Sequence, residues 1–400
     1  MIIKNARIIS PADKIDDILD IKIEDGIITQ IAKNIEGEGL DFSGKIITPG
    51  FVEMHCHLRE PGFEYKETIE TGIKSALNGG YTAICPMANT NPVVDNVETL
   101  KFTIKQAKEK IEYCPVCAIT KGLQGKELTD IKSLKSAGAA AFSDDGKPLE
   151  NLSLFKKALK AGELVMSHAE DSILLTEPLS EAVSVARELE VVRAVGGRLH
   201  FAHISTKRAI ELIRQAKKDG LNVTCETAPH YFTFTDKKET NDGRFKMNPP
   251  LRNQEDLNAV IEGLKDGTID CIATDHAPHS LDEKTKPFKD APFGIVGFET
   301  AFGASLKLCE EEHLTLNQLI EKLSINPAKI LGLENQGLIK VNKKANLAIL
   351  DLEQSYIVKA KDFMTKCKIS PFEGMQFKGR ALAVIVNGKL IETGATLCKQ

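Results

Sequence analysis

The strongest constraint on this chain is an alternation. From residue 51 to about 330 one phrase recurs: a short apolar or β-branched run, a polar or glycine-containing loop, then a stretch with helical periodicity. The runs are FVEMHC (51–56), YTAICPM (81–87), YCPVCAIT (113–120), AAAFS (139–143), ELVMSH (163–168), LHFAHI (199–204), LNVTCE (221–226) and DCIATD (270–275). Between them lie segments such as KETIETGIKSALNGG (66–80), NLSLFKKALKAG (151–162) and STKRAIELIRQAKKDG (205–220), with apolar residues three and four apart and a terminal glycine suited to a C-cap. Eight strands alternating with helices predict an α/β fold, a (β/α)8 TIM-type barrel over 50–337. An open doubly wound sheet is the rival, but no G-x-G-x-x-G follows the first strand.

The two ends are written differently. Residues 2–48 hold short alternating runs joined by the turn EDG (24–26), and residues 338–393 resume that style, with Asn387-Gly388 as a hairpin turn. The expectation is a small composite β-sandwich built from 1–49 and 338–400. A composition 42% hydrophobic is ample for a core of this size.

A formal charge of -4, with no long basic block, gives no support for binding nucleic acid or an anionic membrane. The N-terminus MIIKNARIIS lacks the apolar core of a signal peptide, and no run nears 18 apolar residues, so a cytoplasmic location is expected. Nine cysteines, several inside strand-like runs, suit reduced buried thiols. The CPVC at 114–117 has redox or zinc spacing, but it lies within a strand pattern and is assigned to packing.

Residues two apart on a strand share a face, so His55 and His57 point together with Glu53, while Met54 and Cys56 are expected to face the helices. A pair of imidazoles at a strand's C-terminal end occupies the rim where barrel enzymes keep their chemistry. Isolated, hydrogen-bonded core histidines would be the plain alternative; two in register favour a metal. Other strand ends bring Asp144 and Asp145, His168, His203 and Asp275 to the same rim. Such a set suits Zn²⁺, with Mn²⁺ or Co²⁺ as substitutes. It is enough for two ions if one carboxylate bridges them, at roughly 3.5 to 4 Å. Asp144 could instead be a helix N-cap. His200 and His276 are expected to turn away, His313 to be solvated, and His230 is ambiguous. Asp275 is placed to move the proton of a metal-activated water. Arg59, beyond the turn EPG, can bind a substrate carboxylate or be a surface charge.

Six ordered blocks, PGFVEMHCHLREPG, CPMANTNPV, FSDDG, FAHISTK, KMNPPLR and ATDHAPH, together resemble the class I dihydroorotases of bacteria, in the amidohydrolase superfamily. The resemblance implies reversible cyclisation of N-carbamoyl-L-aspartate to L-dihydroorotate. It implies His55 and His57 on one metal, Asp145 bridging, His168 and His203 on the second, and Asp275 as ligand and acid/base. Arg59, Asn89, Asn248 and His279 correspond to the substrate-binding set. Many relatives bridge with a carboxylated lysine on the fourth strand; no Lys lies between Gly138 and Asp145, which favours Asp145 and argues against an allantoinase or hydantoinase. One or two Zn²⁺ ions, a homodimer and an association with aspartate transcarbamoylase are further expectations. A non-catalytic scaffolding subunit is the reading from another class, and the filled ligand positions argue against it. Residues 169–198 look short for the family, with room for one helix. SLDEKTKPFKDAPFGIVGFET (280–300) reads as a mobile loop contacting substrate.

Overall fold

The computed structural model describes residues 1–237 and 240–394. Eight parallel strands run in sequence order: Phe51–Cys56, Tyr81–Pro86, a third broken at Pro115 into Glu112–Tyr113 and Val116–Cys117, then Ala141–Phe142, Leu164–Ser167, Arg198–Phe201, Val223–Thr227 and Cys271–Ile272. Each pairs in parallel with the next. The ring is closed by a parallel bridge between Cys56 and His276, where the His57 N–H donates to the His276 carbonyl at 2.8 Å. This is a closed (β/α)8 barrel.

The helices stop and start as their sequences dictate. Thr68, Asn151 and Thr206 cap helices Ile69–Asn78, Leu152–Lys160 and Lys207–Lys218 through their side chains. Gly80, Gly162 and Gly220 follow the last turns at φ +95°, +86° and +79°, a backbone region that a side chain disfavours. Residues 169–198 hold one helix, Pro178–Val195.

Inside the barrel pack Met54, Cys85, Met87, Cys114, Val116, Leu164, Met166 and Cys271. The position of Met54 corrects the strand-alternation expectation. The register slips between Glu53 and Cys56, so Met54 faces the interior, with its sulfur 3.6 Å from the Cys271 thiol. Cys56 joins the outer layer with Phe51 and Ile73. The eight cysteines among the described residues are free, and both thiols of CPVC are buried.

Both chain ends build one eight-stranded sheet with an apolar core of its own, the separate β-rich unit that the terminal runs suggest. Its order is Lys389–Glu392, Gln376–Val386, Leu347–Ile357, Ile46–Pro49, Ile2–Ser10, Ile15–Glu24 and Ile27–Ala32, with Leu40–Asp41 beside Ile2–Ser10. Ile8, Ile21 and Ile47 from the first part and Leu347, Ile349 and Ile385 from the last share that core. Ile46–Pro49 is the seam, pairing Leu347 with Pro49 and Leu350 with Ile46. The turns Asp25-Gly26 and Asn387-Gly388 have left-handed angles at both positions (φ +49° and +80° in each), as a tight hairpin requires. They also touch: a Cβ on Gly388 would lie 2.3 Å from Gly26 Cα. Residues 395–400 of the expected terminal unit lie outside the described residues. Among the described residues no helix is long and apolar enough to cross a membrane.

Candidate metal centre

At the rim formed by the strands' C-terminal ends, two side-chain groups share one carboxylate. His55, His57 and Asp145 form one, and Asp145, His168 and His203 the other, with ligand atoms of each group within 4.8 Å of one another. Asp145 Oδ1 lies 3.4 Å from His55 Nε2, 3.4 Å from His168 Nδ1 and 3.6 Å from His203 Nε2, while Oδ2 lies 3.6 Å from His57 Nε2. Asp275 Oδ1 faces the same pair, 3.1 Å from His57 Nε2 and 3.6 Å from His55 Nε2. Every one of these side chains is buried. His203, Asp275 and Arg59 stand at positive φ (+36°, +47° and +64°), strain of the kind that collects at functional sites.

Three of the four imidazoles are aimed by a partner on the other nitrogen. Glu226 Oε1 takes the Nδ1 proton of His55 (2.9 Å), Asn89 Oδ1 that of His57 (2.9 Å), and Glu170 Oε2 the Nε2 proton of His168 (3.1 Å). The lone pairs of His55 Nε2, His57 Nε2 and His168 Nδ1 are thereby turned toward the shared carboxylate, as metal-ligating histidines require.

The electrostatics ask for positive charge. Burial works against both carboxylates, yet His55, His168 and His203 hold Asp145 well below the usual carboxylate range, and His55 and His57 do the same for Asp275. His55, which burial alone would keep neutral, is driven well above its ordinary value by Asp145 and Asp275. Two atoms facing each other here, His55 Nε2 and Asp145 Oδ1, are buried with no hydrogen-bond partner. Unmet buried polar atoms of this kind cost about 1 to 3 kcal/mol each. A cation among them satisfies both, and imidazole with carboxylate suits a divalent ion of the zinc type.

The remaining candidates border this centre. Asn89 also donates to Asp145 Oδ2 (3.3 Å). Asn248 donates to Glu170 (3.0 Å) and keeps its own Oδ1 buried without a partner. Arg59 donates through Nε to the Pro278 carbonyl (3.0 Å), with Nη2 3.5 Å from His279 Nε2. Asp144 is neither ligand nor helix cap. It accepts from the Ile119 and Thr120 N–H groups and the Thr120 hydroxyl, fastening the end of the third strand to the fourth.

Glu226 and Glu170 carried no assignment from sequence. His200 was expected to face the helices; instead it lies beneath the centre, with Nε2 3.2 Å from Glu226 and Nδ1 2.8 Å from Thr224 Oγ1. The alternation rule failed because His203 lies beyond the strand, which ends at Phe201. His276 does turn away, stacking on Phe298 at 4.1 Å. His313 is partly exposed. His230 is fully buried, and desolvation lowers it to about 4. The segment after His279 opens on a short helix. Helix Leu281–Lys284 is closed by a capping box from Ser280 to Glu283, and buried Lys284 donates to the carbonyls of Lys246 and Pro292 (3.0 Å each).

The amidohydrolase family model matches residues 46–391. A dihydroorotase from Acetivibrio thermocellus is 45% identical over 98% of both chains, and one from Ruminiclostridium cellulolyticum 44% identical over 97% of both. Among solved structures, the L-hydantoinase (dihydropyrimidinase) of Arthrobacter aurescens has a TM-score of 0.91 at 26% identity, covering 99% of this chain and 96% of that one. With its barrel, its paired histidine groups and a 44–45% identity to these relatives over nearly the full length, the chain belongs to the amidohydrolase family and, within it, to the dihydroorotases.

Proposed function

We propose that this chain interconverts N-carbamoyl-L-aspartate and L-dihydroorotate, with His55, His57, Asp145, His168, His203 and Asp275 as ligands of one or two Zn²⁺ ions. The observation that carries the reading is the single carboxylate, Asp145, shared by two histidine groups, with Asp275 3.1 Å from His57 in one of them. A divalent ion held there polarises a carbonyl and lowers the pKa of water.

The rest is the work of the protein's own side chains. Asp275, kept ionised by His55 and His57, is the catalytic acid/base. In ring opening it takes a proton from the attacking water, the carbonyl carbon gains the hydroxyl, the bond to the ring nitrogen breaks, and Asp275 returns the proton to that nitrogen. Cyclisation runs the same transfers backwards. Arg59, Asn89, Asn248 and His279 form the substrate-binding set. Arg59 binds a carboxylate, and the two amides supply donors and acceptors beside the reacting group.

Within this reading the chain divides into a composite terminal unit, 1–49 with 338–400, and a hydrolase barrel, 50–337. It works in the cytoplasm as a homodimer and associates with aspartate transcarbamoylase. Light scattering and co-purification test these last two statements. Metal analysis followed by parallel assays on dihydroorotate, allantoin and hydantoin tests the activity. Turnover of hydantoin or allantoin without dihydroorotate would overturn it.

A further inference from the structure

Beside the metal centre lies a second cluster with a sharply defined protonation pattern. His279 Nε2 is 2.7 Å from the Phe293 carbonyl, which can only accept, so that nitrogen carries the proton. Nδ1 is 3.1 Å from Lys66 Nζ, which can only donate, so Nδ1 presents its lone pair. The imidazole is neutral, with Phe293 and Lys66 as its partners, and its 3.5 Å approach to Arg59 Nη2 sets two donors side by side rather than making a hydrogen bond. The Arg59 and Lys66 charges, after desolvation, keep His279 from protonating.

Lys66 is itself braced. Glu283 Oε1 pairs with its ammonium at 3.0 Å, and the other oxygen of Glu283 is fixed by the Ser280 N–H at 3.0 Å. The Lys66 side chain is 15% exposed, and its ammonium lies 5.4 Å from the Tyr65 ring centre. Counting charges, Arg59 and Lys66 contribute two positives, Glu283 one negative and His279 none. The Arg59 guanidinium and the Lys66 ammonium thus stand at the two nitrogens of one neutral ring, an arrangement that favours an anion.

We propose that Lys66 is a positioning and specificity-determining residue: it fixes the His279 tautomer and, with Arg59, forms a subsite for a carboxylate that takes no part in the reaction. Rings bearing that carboxylate are thereby selected over cyclic amides without it. This rests on the dihydroorotase reading, whose substrate carries such a group.

The test compares metal-loaded wild type, Lys66→Met and Lys66→Arg, with metal content and melting temperature as checks of folding. Kinetics are taken on dihydroorotate and on 5,6-dihydrouracil, the same ring without a carboxylate. Losing one charge-assisted contact should raise KM for dihydroorotate roughly 10- to 100-fold in Lys66→Met, with kcat changed only a few-fold. The preference for dihydroorotate over dihydrouracil should fall by a similar factor, and Lys66→Arg should restore most of it. Calorimetric binding of orotate reads the subsite without turnover and should weaken in parallel. A KM and an orotate affinity within twofold of wild type, or equal losses on both rings, would overturn the proposal. Wild type that binds orotate yet leaves dihydroorotate unchanged would count against the activity reading instead.

Discussion

The Glu226 carboxylate lies 2.9 Å from Nδ1 of His55, and so decides which nitrogen of that imidazole faces Asp145. Its second oxygen is held by His200 at 3.2 Å. Glu226→Ala frees His55 to rotate and to change tautomer, and metal affinity should drop roughly 10- to 100-fold. Chelator competition measures this; an unchanged affinity would show that His55 is held by packing alone.

Asp145 is the one side chain common to both histidine groups. In Asp145→Ala the metal content per subunit should fall below that of wild type, with turnover reduced at least about 100-fold. Elemental analysis of the purified variant decides the matter, and full metal occupancy would exclude a bridging role.

Asp275→Ala leaves the Asp145 groups intact and removes the proton carrier. Its kcat should fall roughly 10²- to 10⁴-fold while metal remains bound. Activity equal to wild type would refute the acid/base assignment.

Lys284 supplies a pH prediction. Burial lowers this ammonium from its ordinary 10.5 to about 7. A folded-state value below the unfolded one means that the unfolded chain binds more protons between these limits, so stability rises with pH from about 7 toward 10.5 and is lost as pH falls through 7. The wild type should gain on the order of 1 to 3 kcal/mol between pH 7 and 9.5 relative to Lys284→Met. Urea midpoints at the two pH values give the comparison, and parallel curves would mean that the two carbonyl bonds already compensate the charge.

Gly388→Ala forces a Cβ to 2.3 Å from Gly26 Cα at a φ of +80°. We expect a loss of about 2 kcal/mol or more, read as a lowered urea midpoint. A neutral substitution would mean that the two hairpins can part without cost.

Much of this was legible because strand ends carry their chemistry in short, regular phrases. His55, Asp145, His168, His203 and Asp275 each follow an apolar run, and the barrel topology alone brings them to one rim. What could not be read is local geometry. The register slip between Glu53 and Cys56 leaves no mark in composition, so Met54 was assigned to the wrong face. His200 was misjudged because strand counting was carried past Phe201 to a residue at φ +36°. Glu226 and Glu170 were overlooked because a lone acid at a strand end does not reveal which ring it will meet. The four-residue helix Leu281–Lys284 is too short for any periodicity, and only its Ser280–Glu283 spacing could have announced it.

The seam at Ile46–Pro49 also orders events in time. During synthesis the opening strands emerge with apolar faces whose partners at Leu347–Leu350 are made some three hundred residues later. The barrel can close around its own strands beforehand, whereas the terminal sheet must wait for residues 347–392. A chain extended only to residue 346 would leave one edge of Ile46–Pro49 unpaired, the kind of exposed strand that invites association.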